Sequence, residues 1–292
     1  MADGRPLVRD RLAIIAGGGL LPHYVAEAAR AHGENPYILA LRDESAGDWS
    51  GFDHEIISIG NYAGIGAAFR AKNIGRAVLS GAVRRRPEWR DIRAPFKALA
   101  AIPSVVRTLM KGGDDAVLKM VIRLIEAEGV RIVGAHEIVP DLLGSEGPLG
   151  AIAPDAAAEA DIAAAAAAAL ALGRLDVGQG AVALGGRVVA LEGVEGTDAM
   201  LERVASLRAA GRISARRKGV LVKLCKPEQD LRADLPSIGV ETLRRAHAAG
   251  LAGIAVEAGR SLVLERAALV AEADAHGLFV TGIVPQRTEV SR

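Results

Sequence analysis

Aromatic side chains make up only 3% of the 292 residues, so the interior must be built from Ala, Val, Leu and Ile within a hydrophobic content of 50%. Cysteine occurs once, as Cys225, which excludes an internal disulfide. Inside GVLVKLCK it reads as a small buried hydrophobe, in a chain suited to a reducing cytosol. An excess of one charge is also missing: 36 Lys and Arg face 35 Asp and Glu, and a net charge of +1 provides no global field to gather nucleic acid. Long apolar runs are scarce. DIAAAAAAALALG is too short and too alanine-rich to read as a membrane span, and the N-terminal MADGRPLVRDRLAIIAGGG runs from a short apolar stretch into glycines, against a signal peptide. Membrane attachment would have to be peripheral. No P-loop, nucleophile elbow or paired C-x-x-C occurs.

What is plentiful is glycine, 34 residues, placed where apolar runs end. RLAIIAGGG predicts a strand closing in a glycine turn, LLPHYVAEAARAHG a helix stopped by Gly33, and PYILAL a second strand. EIISIG, NYAGIGAAFRAKN, RAVLS before Gly81, DDAVLKMVIRLIEAEG and VRIVGA extend the alternation. This is an α/β pattern, and a parallel sheet covered by helices on both faces is its packing solution. A Pro/Gly stretch over 136–155 divides the chain into an N-terminal domain, 1–145, and a C-terminal α/β domain, 146–292. The second half adds glycine-turned strand pairs in VGQGAVALGGRVVALEGVEG, which predict a mixed sheet.

The candidates for chemistry concentrate after GVLVKLC, in KPEQDLRADLPSIG. Read as extended, this segment puts Asp230, Arg232 and Asp234 on one side; read as a helix, it brings Asp230 and Asp234 together across one turn. With Lys226 nearby, two carboxylates and two cations suit a Mg²⁺ and a phosphate, or water activation with charge stabilisation. A solvated strand edge with an internal ion pair explains the same residues equally well. Gly17, Gly18 and Gly19 end the first strand before a helix, a phosphate-binding place, although Pro22 breaks the G-x-G-x-x-G spacing; a turn needing positive φ is the alternative. The basic run Arg84, Arg85, Arg86, Arg90, Arg93 and Lys97, with Trp89 and Phe96, reads as a loop for a diphosphate or an anionic membrane, or as a solvated loop. The apolar face of the next segment, from Leu99 through Ile102, Val105 and Val106 to Leu109, reads as an acyl-chain cover or as core. Asp114 and Asp115 open a helix, one as a cap and the other as a ligand contact. His136 follows a strand without zinc spacing. Gln179 and Asp198 lie at turns, Thr197 reads as an N-cap, and Glu257 is an acid in apolar surroundings.

Taken together, IAGGGLLP, GAHEIVPDLL, LDVGQGAV, EGTDAMLERVASL, KPEQDLRADLPSIGVETL and GLAGIAVEAG closely resemble, in order, the UDP-2,3-diacylglucosamine pyrophosphatases of lipid A biosynthesis, of the LpxI type. The resemblance runs from residue 12 to about 285. It implies a Rossmann-like N-terminal domain, a cytoplasmic homodimer working at the inner membrane surface, and Mg²⁺-dependent hydrolysis of UDP-2,3-diacylglucosamine to UMP and 2,3-diacylglucosamine 1-phosphate, water attacking the sugar-linked phosphorus. It makes Asp234 the essential aspartate, with Asp234 and Asp230 as metal ligands. Lys223, Lys226 and Arg232 become candidates for charge stabilisation. Gly17, Gly18, Gly19, Gly81, Asp114, Asp115, His136, Gln179, Thr197, Asp198, Gln229 and Glu257 become candidate substrate contacts. Two readings from other classes remain: another nucleotide-sugar enzyme, and a noncatalytic carrier of acylated sugar phosphates.

Overall fold

The computed structural model describes residues 10–45, 47–83, 85, 114–227, 229–232 and 235–286. Asp234, the side chain of Asp114, the basic run apart from Arg85, and the apolar segment 99–109 lie outside the described residues. The chain forms two compact units: the described residues up to 140 together with 230–232, and those of 141–229 together with those from 235 onward.

In the first unit, β1 (Arg11–Ala16), α1 (Leu21–Ala31), β2 (Tyr37–Leu41), β3 (Asp53–Ile57), α2 (Tyr62–Ala71), β4 (Ile74–Ser80), α3 (Asp114–Glu126), β5 (Arg131–Ile132) and α4 (Ala135–Ile138) follow one another. The strands pair in parallel in the order β3-β2-β1-β4-β5. Each strand of the centre is apolar on both faces because both are covered. Leu12, Ile14, Ala16 and Val78 pack with Val25, Ala26 and Ala29 of α1 and with Ala135 and Ile138 of α4. Ala13, Ile15 and Ala77 pack on the other side with Phe69 of α2 and Ile122 and Ile125 of α3. The helix boundaries are local in origin: the Asn61 Oδ1 accepts the Gly64 N–H at 3.1 Å to start α2, and Gly33 takes a φ of 82° just past α1.

The glycines at the ends of β1 and β4 are required by contact. A Cβ on Gly17 would lie 2.5 Å from the Ala82 carbonyl oxygen, and one on Gly81 would lie 2.5 Å from that of Gly18 and 2.8 Å from Pro22 Cγ. Gly81 also has a φ of 88°. Gly81→Val therefore combines left-handed strain with overpacking, and the two together are expected to lower unfolding free energy by about 3 kcal/mol or more. Urea unfolding of the whole chain measures this; an unchanged midpoint would show that the strand end relaxes freely.

The second unit contains β6 (Gly147–Pro148), α5 (Ala156–Arg174), β7 (Gly180–Leu184), β8 (Arg187–Leu191), α6 (Gly196–Ala209), β9 (Gly219–Lys223), β10 (Ser237–Ile238), α7 (Val240–Ala248), β11 (Leu251–Glu257), β12 (Leu262–Val263), α8 (Arg266–His276) and β13 (Phe279–Ile283). Its main sheet runs β6-β13-β11-β9-β7-β8 and is mixed: β9, β11 and β13 are parallel, while β6, β7 and β8 join antiparallel. β10 and β12 form a separate parallel pair. The alanine-rich α5 starts at Asp155, whose Oδ1 accepts the Ala158 N–H at 2.8 Å. Its small residues, among them Ala165 and Ala169, lie against Ala181, Val220 and Val222, so the tract is a sheet-packing helix. The opposite face carries Met200 and Val204 of α6, Leu243 of α7 and Leu269 of α8 over Leu221 and Ile254. The β7–β8 hairpin turns through Gly185 and Gly186, both at positive φ, and the buried Asp161 of α5 accepts the Gly186 N–H at 2.6 Å.

Candidate functional site

The carboxyl ends of β9 and β11 collect polar groups that the apolar strands carry out of the core. Lys223 closes β9 and is buried, 6% exposed. Its Nζ donates to the Ser237 carbonyl at 3.1 Å and, among the described residues, makes no ion pair. An ammonium has three donors, so a buried one with a single neutral acceptor retains both charge and donor capacity for an anion. Lys226, two residues after the apolar Leu224, is different. Its Nζ lies 2.7 Å from Asp176 Oδ1, and that ion pair commits its charge. Gln229 closes its own turn: its Oε1 accepts the Lys226 N–H at 3.1 Å and the Cys225 thiol at 3.3 Å. Cys225 is thus buried among polar neighbours, with Arg260 Nη2 at 3.8 Å, rather than in purely hydrophobic packing.

Glu257 ends β11 and is 3% exposed. Its Oε2 accepts the Cys225 N–H at 3.0 Å and its Oε1 lies 3.5 Å from Arg260 Nη1, so it ties the end of β9 to β11. Alternation places Glu257 on the side of Ala255, which packs with α5, and Lys223 on the side of Leu221, which packs with α6 to α8. The two candidates flank the sheet on opposite faces.

Thr197 does not cap α6; the N-cap position is Glu195, whose side chain makes no capping hydrogen bond. Thr197 lies inside the first turn, where its Oγ1 donates to Glu192 Oε1 at 2.5 Å, the carboxylate following β8 being a charged acceptor within its reach. Glu192 is 6% exposed, and its Oε2 also accepts the Gln179 N–H at 3.3 Å. Sequence reasoning passed over Glu192, yet a signal was present: ALEG, like AVEAG around Glu257, places an acid beside glycine at the end of an apolar strand. The side-chain Oε1 of Gln179 is buried without a partner among the described residues, and the Gln179 carbonyl accepts the Leu224 N–H at 2.9 Å beside Lys223. Asp198 stands apart, 3.6 Å from Arg245 Nε on α7.

The other candidates belong to the first unit. Asp230 and Arg232 form neither an extended row nor a helical turn. Asp230 Oδ1 accepts both the backbone N–H and the Nε of Arg232 at 3.0 Å, Oδ2 accepts its Nη2 at 2.7 Å, and Nη1 reaches Glu126 Oε1 at 2.8 Å. An Asx turn with a bidentate ion pair is the local solution the sequence offers when Arg follows Asp by two. These hydrogen bonds to Arg232 hold the Asp230 carboxyl below the usual carboxylate range. Its native pKa being depressed, the turn is stabilised above the ordinary value of about 3.9 and loses that stabilisation as pH falls through the lower native value. Protection of the Arg232 amide from exchange is expected to fall in that acid window while core amides stay protected, and to lose this dependence in Asp230→Asn; protection independent of pH would refute the assignment. Asp115 pairs with Lys119 at 2.6 Å. His136 lies within α4, its Nδ1 buried without a partner. The Gly17 and Gly18 N–H groups donate to the Ser80 and Ala82 carbonyls at 2.8 and 2.7 Å, so neither is available to a phosphate, and only Gly19 of the triplet remains.

The described residues do not fit a Mg²⁺ site. No group of three or more His, Cys, Asp or Glu among them is arranged to hold a metal ion. Both oxygens of Asp230, an expected ligand, face one guanidinium, which repels a cation from the same lone pairs. Asp234, the other expected ligand, lies outside the described residues.

Comparison with known proteins adds the family context. The LpxI N-terminal domain matches residues 11–142 and the LpxI C-terminal domain residues 145–281. The chain is 44% identical over 280 residues to the UDP-2,3-diacylglucosamine pyrophosphatase LpxI of Caulobacter vibrioides, covering 94% of this chain and 98% of that one.

Proposed function

The chain belongs to the LpxI family, and on that footing we propose that it hydrolyses the pyrophosphate of UDP-2,3-diacylglucosamine to UMP and 2,3-diacylglucosamine 1-phosphate in lipid A biosynthesis. The observation that carries the reading is Lys223, a buried ammonium with one neutral acceptor at a strand end. In the proposed reaction a water oxygen bonds to the sugar-linked phosphorus, the bridging oxygen departs with UMP, and the water's proton passes to a base and then to solvent. Negative charge grows on the bridging oxygen as that bond lengthens, and a cation already stripped of water stabilises it without reorganising. Lys223 is assigned that cation, and on the family likeness alone Asp234 is assigned the carboxylate that takes the water's proton or orients it.

Dependence on Mg²⁺ is part of the same proposal and rests on the family likeness, not on the described carboxylates, which do not fit the ion. A cytoplasmic homodimer meeting its acylated substrate at the inner membrane surface completes the picture. The test is release of UMP by the purified chain from detergent-dispersed UDP-2,3-diacylglucosamine with Mg²⁺, after chelation, and after Mg²⁺ is restored. Release lost and regained supports the reading. Binding without turnover under every metal and detergent condition would make the protein a carrier instead.

A further inference from the structure

The carboxyl end of the first unit's sheet holds donors that its own fold does not use. Ser80, the last residue of β4, is 4% exposed, and its Oγ has no hydrogen-bond partner among the described residues. Alternation sets its direction: Val78 packs with α1, Ala77 with α2 and α3, so Ser80, two beyond Val78, faces the α1 side. α1 begins at that level, since a Cβ on Gly81 would touch Pro22 in its first turn. The α1 N-terminus has no side-chain cap and no acidic residue in its first turn; Pro22 has no N–H and the His23 and Tyr24 N–H groups donate to the Leu20 carbonyl at 3.1 and 3.2 Å, so the Leu20 and Leu21 N–H groups and the positive end of the dipole are what it presents. α4, whose Ala135 and Ile138 pack on that face, also carries His136, with an Nδ1 that is buried without a partner among the described residues. The neighbouring carboxylates are turned elsewhere: Glu137 accepts the Gly134 N–H at 2.7 Å and Glu44 the Arg85 N–H at 2.8 Å. The strand order reverses between β1 and β4, which is where open parallel sheets bind ligands.

We infer that the Ser80 hydroxyl and the α1 N-terminus form a phosphate site within the first unit. It lies one step beyond the glycine triplet, because Gly17 and Gly18 spend their N–H groups on holding β1 to the end of β4. The ligand is a phosphate monoester; identifying it as that of a nucleotide, UMP, rests on the activity proposed above.

The experiment titrates the whole chain with UMP and with inorganic phosphate by calorimetry, for wild type, Ser80→Ala and Ser80→Thr. Loss of one donor to the anion is expected to weaken both ligands about 10-fold in Ser80→Ala, with the hydroxyl-bearing Thr variant closer to wild type. The Ala variant should melt no lower than wild type, since it removes a buried hydroxyl that has no partner. A lower melting temperature with unchanged UMP and phosphate affinity would make Ser80 structural and overturn the site, as would a wild type that binds neither. Phosphate binding that depends on Ser80 without UMP binding keeps the site and removes the nucleotide. A chain that binds UMP in this way but hydrolyses no UDP-sugar defeats the proposed activity and leaves the site standing.

Discussion

Lys223→Met is expected to slow UMP release about 10²- to 10³-fold, the usual cost of removing one preorganised donor from a developing oxyanion. Methionine matches the length and flexibility of the lysine stem while removing its charge. Lys223 is buried on the face it shares with Leu221, and among the described residues its ammonium has one carbonyl acceptor, so the folded protein gains little from that charge and loses hydration by burying it. The variant should therefore unfold at the same denaturant concentration as wild type or a higher one. This pairing of lost activity with retained stability separates a catalytic cation from a structural one, for which the stability would fall. Lys226→Met supplies the contrast. Its ammonium is already paired with Asp176, so its removal strands a half-buried carboxylate and should act on stability more than on rate. Near-wild-type turnover in Lys223→Met, with the fold intact, would remove the charge-stabilising role assigned to it.

Asp234→Ala is expected to lower the rate further, about 10²- to 10⁴-fold, the range over which a positioned general base contributes. The reasoning is chemical. Water is a poor nucleophile toward a diphosphate that already carries negative charge, and a carboxylate that accepts its proton or fixes its lone pair lowers the barrier to attack. Binding should survive: equilibrium dialysis with UDP-2,3-diacylglucosamine is expected to give a dissociation constant close to that of wild type. Asp234→Asn keeps the shape but not the basicity, and should resemble Ala in rate. Robust release by either variant would shift the essential carboxylate elsewhere, and Glu192 and Glu257 would be poor substitutes, since each already accepts hydrogen bonds that organise the strand ends.

The amino-acid sequence by itself determined the α/β alternation, the parallel first sheet, the mixed second one and the places where elements start and stop. Those features depend on neighbours a few positions apart: Asn61 reaching Gly64, Asp155 reaching Ala158, Gly185 and Gly186 reversing a hairpin, apolar runs ending in glycine. The ordered motifs also carried the family. Only the tertiary structure decided which charges remain available. The stretch after Cys225 reads as one array, yet Lys226 is taken up by Asp176 at 50 positions' separation, and Arg232, already held locally by Asp230, gives its Nη1 to Glu126 at 106; no local pattern encodes Asp176 or Glu126 as a partner. Lys223 and Glu257 are set apart by the two faces of a sheet, Glu192 claims the hydroxyl of Thr197, and the Gly17 and Gly18 amides are consumed by the end of a strand more than 60 residues away. Backbone conformation is governed by short-range sterics and periodicity, whereas the state of a charge or a donor depends on what packing brings within about 3 Å of it.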